Sequence, residues 1–324
     1  LRPLRNRWGS QPPDSYGTTY STTADQANRS FVLSSSITDA ANRGVIEELI
    51  IADCDVPGAF LHNRLTRDMT GGHQIVTRLP HDLIDKRYAG KLCEVTGCQY
   101  GMKQSNAVFA ADLRKTLVAG GYAALPSDDC IFIKWSKSNP LNKSVVSTHV
   151  DDFSIIVNHD DDDLYNDFVS IIRTRYGADV PFNKVSEGIC GVHLIRNSDN
   201  TVQLNVSKYI LKMLTKYGFD DVDAAIAPSL ELLFFVDPES PALSEPRAKM
   251  FRRVNGSLIW PAAIRFDIHK EVSFLCSRNV RPTEQDLDKQ VHLLRYLKGC
   301  PNLGPVYSSA PSSDGSITVV AEGD

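Results

Sequence analysis

Long apolar runs are what this chain of 324 residues most plainly lacks. None approaches the roughly 18 residues of a membrane-spanning helix, and the residues after Leu1 do not read as a secretory signal. Cysteine pairing is missing as well. The seven cysteines, at 54, 93, 98, 130, 190, 276 and 300, are scattered and include no C-x-x-C. Neither a disulfide framework nor a zinc site is therefore expected, and a reducing compartment fits. Charge of one sign is also absent, because 35 Lys and Arg against 39 Asp and Glu leave a net charge of -4. That balance argues against coating nucleic acid by bulk electrostatics, so any such contact must come from local grooves. What is present is ordinary for a globular protein, 42% hydrophobic and 23% charged, with length for one large domain or a few small ones. The chain stops at Glu322-Gly323-Asp324 without an obvious terminal element and reads as a segment of something longer.

The stretch Thr148-His149-Val150-Asp151-Asp152-Phe153-Ser154-Ile155 organises the rest. Val145 and Val146 before it and Ile155 to Val157 after it are rich in β-branched residues, which predicts two short strands joined by a tight turn carrying both acids. Adjacent carboxylates on a turn suit divalent cations held against a phosphate, because Mg²⁺ takes one or two carboxylates and fills its other positions with water and substrate oxygens. Taken alone, the stretch fits a plain acidic hairpin turn better, since Asp is a common turn former. A third acid and a nucleotide pocket upstream decide between the two.

Residues 1 to 24 are polar and turn-rich and read as an arm. Ala24 to Arg43 is helix-compatible, with Gly44 as its stop. Val45 to Cys54 is an apolar strand-like run ending in Asp53-Cys54-Asp55, and Val56-Pro57-Gly58-Ala59-Phe60-Leu61 is a sharp exit because Pro and Gly end strand pairing. An acid at a strand end, followed by a Gly turn with outward N–H groups, suits a triphosphate and a metal; a strand that ends in a polar turn is the other reading. A polar connector from Gln74 to Leu92 leads through a short strand-like piece to Tyr100. Gly101-Met102-Lys103-Gln104-Ser105 then opens a helix to about Ala119, with Ser105 as N-cap and Gly120-Gly121 as stop. Lys103 and Gln104 ahead of that helix suit a nucleotide or a solvated loop.

Cys130 to Trp135 reads as a strand, Asp160 to Tyr176 as a helix with acids at its N-terminus, and Ile189 to Ile195 with Val202 to Val206 as a hairpin. The helix Ser207 to Tyr217 sets Ile210, Met213, Leu214 and Tyr217 on one face and Lys208, Lys212 and Lys216 on another. That stripe suits a phosphate backbone or plain solvent. Ala224 to Arg247 reads as a Pro-rich connector. Helices follow at about 257 to 277 and about 283 to 297, the second opened by Thr283-x-x-Asp286, and a strand at Ile317 to Ala321 ends the chain.

Two strands of one antiparallel sheet would bring Asp55 to Asp151 and Asp152, the arrangement that two-metal phosphoryl transfer requires. In order along the chain, Asp55-Val56-Pro57-Gly58-Ala59-Phe60-Leu61, Tyr100-Gly101-Met102-Lys103-Gln104-Ser105, His149-Val150-Asp151-Asp152, Gly191 with Val206-Ser207-Lys208-Tyr209-Ile210, Asn255-Gly256-Ser257-Leu258, Arg265-Phe266-Asp267-Ile268, Pro282-Thr283-Glu284 and Leu294-Arg295-Tyr296-Leu297-Lys298-Gly299 all occur. This ordered set resembles the reverse transcriptase of copia-type LTR retrotransposons. Each motif is weak alone; the order is specific, and it spans roughly Tyr20 to Tyr307.

The resemblance implies an α+β chain with a right-hand polymerase fold: an antiparallel palm sheet flanked by helices, fingers, and a helical thumb and connection. Fingers and palm would occupy 1–206, thumb and connection 207–300, and the start of a ribonuclease H domain 301–324, with Asp324 as its first catalytic acid. By the same resemblance Asp55, Asp151 and Asp152 carry two Mg²⁺, for which Mn²⁺ can substitute. Gly58 and Ala59 offer N–H groups to the triphosphate, Phe60 gates against a 2′-OH, and Lys103 and Gln104 serve the incoming nucleotide. His149 and Val150 lie near the primer end, while Lys208, Lys212 and Lys216 track the backbone. The implied partners are an RNA template, a DNA primer, deoxynucleoside triphosphates, and integrase and ribonuclease H portions of one polyprotein in a cytoplasmic virus-like particle with nuclear entry. Three departures stand out. Only Arg5-Asn6-Arg7-Trp8-Gly9 resembles the family's basic K-x-R-L-V-A-x-G segment, Asn106-Ala107-Val108-Phe109-Ala110 replaces P-R-x-W-Y, and Arg265-Phe266 replaces R-P. They raise a second expectation, a chain that binds nucleic acid without polymerising.

Overall fold

The computed structural model describes residues 26–45, 49–82, 85–157, 162–184, 186, 188–189, 191–198, 201–229 and 234–307. The expectations for Arg5 to Gly9, for Ile317 to Ala321 and for Asp324 lie outside the described residues. Two compact units divide the chain, the first within 1–186 and the second within 187–324. Among the described residues no helix is long and apolar enough to cross a membrane.

The first unit runs α1 (Gln26–Asn42), β1 (Ile50–Asp55), β2 (Val76–Arg78), β3 (Leu92–Glu94), α2 (Ser105–Ala119), β4 (Ala123–Leu125), β5 (Asp128–Trp135), β6 (Lys143–His149), β7 (Asp152–Val157), α3 (Asp162–Tyr176) and β8 (Phe182–Asn183). Gly44 follows α1 with a φ of 69°, the left-handed stop expected there. Six strands pair antiparallel in the order β4-β5-β6-β7-β1-β8, and β2 with β3 forms a separate two-stranded sheet. Helical spacing builds the cover. Phe109, Leu113 and Leu117 of α2 and Leu164, Phe168 and Ile172 of α3 recur every four residues, and they bury against Phe153, Ile155 and Val157 of β7, which alternate as a strand requires. Ser154 and Ile156 on the opposite face of β7 are buried too, which is why its sequence reads as a nearly continuous apolar run. Each such Phe or Ile contributes about 1.5–3 kcal/mol of burial, so the strands around the two acids are the firmest part of this unit.

The second unit runs β9 (Gly188–Ile189), β10 (Val192–Arg196), β11 (Val202–Asn205), α4 (Ser207–Tyr217), α5 (Glu245–Ala262), α6 (His269–Ser277), α7 (Glu284–Gly299) and β12 (Val306–Tyr307). Its sheet has the order β12-β11-β10-β9, so the expected hairpin is the centre of four strands. The single helix expected at about 257 to 277 is two helices, and part of the expected connector is helical. Ser244 holds the N-cap position of α5, without a side-chain bond, and Pro246 lies in the first turn, a start signal hidden in a stretch that reads as Pro-rich. Beyond Pro261, Arg265 leaves helical geometry with ψ 83°, and this turns its guanidinium into a buried pair with Asp267. At α7 the expected cap is present: the Thr283 side chain accepts from the Asp286 N–H while the Asp286 carboxylate accepts from the Thr283 N–H.

Candidate active site

The register of β1 against β7 runs from Ile50 opposite Val157 to Asp55 opposite Asp152, and β6 against β7 ends with His149 opposite Asp152. Val150 and Asp151 are therefore the whole turn between β6 and β7. Three neighbouring strand ends thus deliver Asp55, His149 and Asp152 to one edge, and the turn adds Asp151. A further bond from the Val56 N–H to the Asp151 C=O, 3.1 Å, ties the turn to the exit of β1. Val150 has φ 61°, the only positive value at a non-glycine among the described residues. A two-residue hairpin with φ positive at its first position normally uses Gly there, and a β-branched residue held that way stores of order 1–2 kcal/mol. Strain of this kind persists only where the surroundings over-determine it, here a strand pair cross-linked by the Ser147 and Ser154 hydroxyls.

The electrostatics of the cluster follow from like charges brought together. Burial, then Asp151 and Asp152, raise the pKa of Asp55 above the ordinary carboxylate value. Burial, then Asp151, likewise raise Asp152, with His149 pulling the other way. Burial and then Arg29 lower His149, against the two acids. The Tyr100 hydroxyl is raised by burial and by Asp151 and Asp55. Tyr100 thus joins this cluster, with Arg29 acting on its His149, and neither is among the expected site residues. Tyr100 heads the Tyr-Gly-Met-Lys-Gln-Ser motif, which is a signal for it; a lone Arg in a helix carries none.

Among the described residues no ion pair neutralises Asp55, Asp151 or Asp152. Nor does any group of three His, Cys, Asp or Glu among them stand close enough to cage a metal ion by itself. The donor set nevertheless suits a divalent cation in kind. Hard carboxylate oxygens that repel one another gain from a cation between them, and Mg²⁺ needs only one or two carboxylates when substrate phosphates complete its shell.

Around the acids the expected residues occupy distinct settings. Gly58 has φ 66°, a conformation that a side chain would strain, and it opens the 3₁₀ turn Ala59–His62. The Ala59 N–H is engaged with the Val56 C=O at 3.2 Å, so the donation expected of it is weakened at the start. Phe60 packs on Tyr100 at 4.9 Å between ring centroids and on Phe109 at 6.2 Å. Lys103 is exposed. Gln104 is 1% exposed, and both of its amide atoms lack a partner. Ser105 is not the cap of α2. Gln104 holds that position, and the Ser105 hydroxyl turns back to donate to the Gln99 C=O at 2.8 Å, which buries it. In the second unit Lys208, Lys212 and Lys216 line the exposed face of α4, opposite buried Ile210, Met213 and Leu214.

A family model described as reverse transcriptase (RNA-dependent DNA polymerase) matches residues 32–231. The Retrovirus-related Pol polyprotein from transposon RE1 of Arabidopsis thaliana is 28% identical over 259 residues, 78% of this chain and 16% of that protein. The corresponding polyprotein from transposon RE2 of the same plant is 24% identical over 257 residues, again 78% and 16%. The chain spans about a sixth of the length of these relatives.

Proposed function

The chain belongs to the reverse transcriptase family in its copia-type branch, and from that premise we propose that it is the RNA-directed DNA polymerase portion of a retrotransposon polyprotein, joining a deoxynucleoside triphosphate to a primer 3′-OH. One observation carries the reading: the β1–β7 register sets Asp55 opposite Asp152, with Asp151 in the strained turn beside them. Asp55, Asp151 and Asp152 would hold two divalent cations, Mg²⁺ or Mn²⁺, which when bound supply charge neutralisation at the attacking hydroxyl and the leaving pyrophosphate. The remaining work is positioning. Phe60, braced by Tyr100, forms the wall under the sugar, and the Gly58 turn and Lys103 face the triphosphate. His149 and Val150 seat the primer end, and the α4 lysines track the nucleic-acid backbone. Residues 1–206 then act as fingers and palm, 207–300 as thumb and connection, and 301–324 open the ribonuclease H domain.

A second reading, nucleic-acid binding without polymerisation, is favoured by one observation. A cavity of about 210 Å³ is lined by Asn106, Ala107 and Ala110 together with Arg114, Thr148 and Val150. Three of these stand where the family pattern has Pro, Arg and Tyr, and the two alanines leave room beside the catalytic turn. Primer extension decides. With its ribonuclease H portion complete, the protein is expected to extend oligo(dT) on poly(rA) with Mg²⁺, and Asp151→Asn to lose extension entirely. Wild-type extension no higher than that of the variant, with hybrid binding retained, would establish the second reading instead.

A further inference from the structure

The excursion between Asn63 and Cys98 buries little of itself. Its roots pair with each other, Leu65 N–H to Thr96 C=O at 3.0 Å and Cys98 N–H to Asn63 C=O at 2.9 Å, with a bridge between Arg64 and Gly97. These roots adjoin Phe60 and Tyr100, the aromatic pair at the acid cluster. Farther out, β2 and β3 pair over three residues each, and neither has a buried residue. Val76 and Leu92 are 47% and 63% exposed. A two-stranded sheet with no covered face is marginal in water; its backbone bonds and one from the Arg78 guanidinium to the Gly90 C=O at 2.8 Å shape it. Such an element contributes nothing to the core, which leaves its surface to explain it.

That surface is basic and carries an aromatic. Arg64, Arg67, Arg78, Lys86, Arg87 and Lys91 are all exposed, against the acids Asp68, Asp82, Asp85 and Glu94, so the arm is net positive in a chain whose net charge is -4. Arg87 is paired with Asp85 at 2.7 Å. Tyr88, 48% exposed, has two cations near it, with Arg87 5.6 Å and Lys91 5.7 Å from its ring centroid. An exposed ring flanked by cations offers stacking for a base and charge for the phosphates on either side, the pairing that single-stranded nucleic acid uses without regard to sequence.

We propose that this arm, rooted beside the acid cluster, binds the single-stranded part of the template through Tyr88 stacking and the Arg78, Lys86 and Lys91 cations. The inference rests on the polymerase reading, because it presumes that a hybrid occupies the acids. The test is fluorescence anisotropy on the full chain with two labelled RNA–DNA hybrids, one blunt and one with a template overhang of about 10 nucleotides, within the range such surfaces cover. Wild type should bind the overhang hybrid about ten-fold more tightly than the blunt one, an estimate from one stacked base plus a few phosphate contacts. Tyr88→Ala should remove most of that gain and Tyr88→Phe should keep it, whereas blunt binding stays unchanged in both. Replacing Arg78, Lys86 and Lys91 together with Ala should lower the salt slope on the overhang hybrid by about 2, at roughly 0.7 per single-strand contact. Equal overhang affinity in wild type, Tyr88→Ala and the triple variant, with blunt binding intact, overturns the arm and leaves the polymerase reading standing. Wild type that binds neither hybrid overturns both.

Discussion

Buried polar groups are treated in opposite ways by the two units. In the helical unit Arg265 is fully buried, and its guanidinium donates to both Asp267 oxygens at 2.8 and 2.7 Å and to the Cys300 C=O at 2.9 Å, while the Tyr296 hydroxyl donates to Asp267. Gln290 donates to the Phe251 C=O and to Asn255, which donates in turn to the Leu275 C=O. In the sheet unit, both Gln104 amide atoms, Asn106 Oδ1, His149 Nδ1 and Arg29 Nε are buried without partners, as are Ser36 Oγ, Asn42 Oδ1 and Asn63 Nδ2; His149 ends the strand before the Val150-Asp151 turn, and Asn106 lines a cavity with Val150. Among the described residues the helical unit has one such atom, Glu271 Oε2. Satisfied networks fix one arrangement, whereas unpaired buried groups cost stability unless a ligand meets them. The difference teaches where the molecule was shaped for standing still and where for binding.

The acids divide the same way. Burial pushes Asp267 up, but hydrogen bonds from Arg265 and Tyr296 outweigh it and leave the carboxyl below its ordinary value of 3.8, whereas Asp55 and Asp152 lie above it. The largest effect expected from breaking this contrast is therefore at Asp267. Asp267→Ala strands a fully buried guanidinium and should cost about 3 kcal/mol in urea unfolding at pH 7, the low end for a broken buried pair because Asp267 is itself partly exposed. A depressed pKa contributes stability above the unfolded-state value, which is lost as pH falls through the folded-state value. The gap between wild type and variant should thus close on acidification below the ordinary carboxylate value. A gap that widened there would break the comparison at its strongest point.

Gln104 sharpens it from the other side. Gln104→Leu removes two buried polar atoms that bond to nothing in the chain, so its stability should match wild type or exceed it by about 1 kcal/mol. Primer extension should fall in the same variant. A loss of stability of about 2 kcal/mol or more would mean that Gln104 is structural and that the sheet unit is no different from the helical one.

The strand ends that carry Asp55 and Asp152 were legible because β-branched runs flank each acid, and pairing two such runs antiparallel leaves little choice of register. Their partners were less so. Tyr100 acts on Asp55 and Asp151, and Arg29 on His149, through long-range packing that one-dimensional spacing does not encode. The β2 strand was read as a polar connector for a plain reason: neither face is buried, so no alternation marks it. The α5 start at Ser244 is masked by the prolines before it, which fit a connector, and the α5–α6 break by the pull on Arg265 from Asp267 and Cys300, one of them 35 residues away.

The smallest effect belongs to Val150, where the contrast between firm scaffold and loaded site meets in one residue. Val150→Gly relieves the left-handed strain of order 1–2 kcal/mol and loses about 0.5–1 kcal/mol to the freedom that Gly gains on unfolding, which leaves a net gain of about 0–1.5 kcal/mol. Because β6, β7 and β1 stay paired, the carboxylates keep their register, so activity should drop only as far as the turn itself loosens. Urea midpoints beside single-turnover extension rates read both terms at once. A variant that is more stable yet slower places the stored strain in the service of the turn; one that is less stable shows that Val150 is held by contacts worth more than its strain, and that the turn belongs to the scaffold.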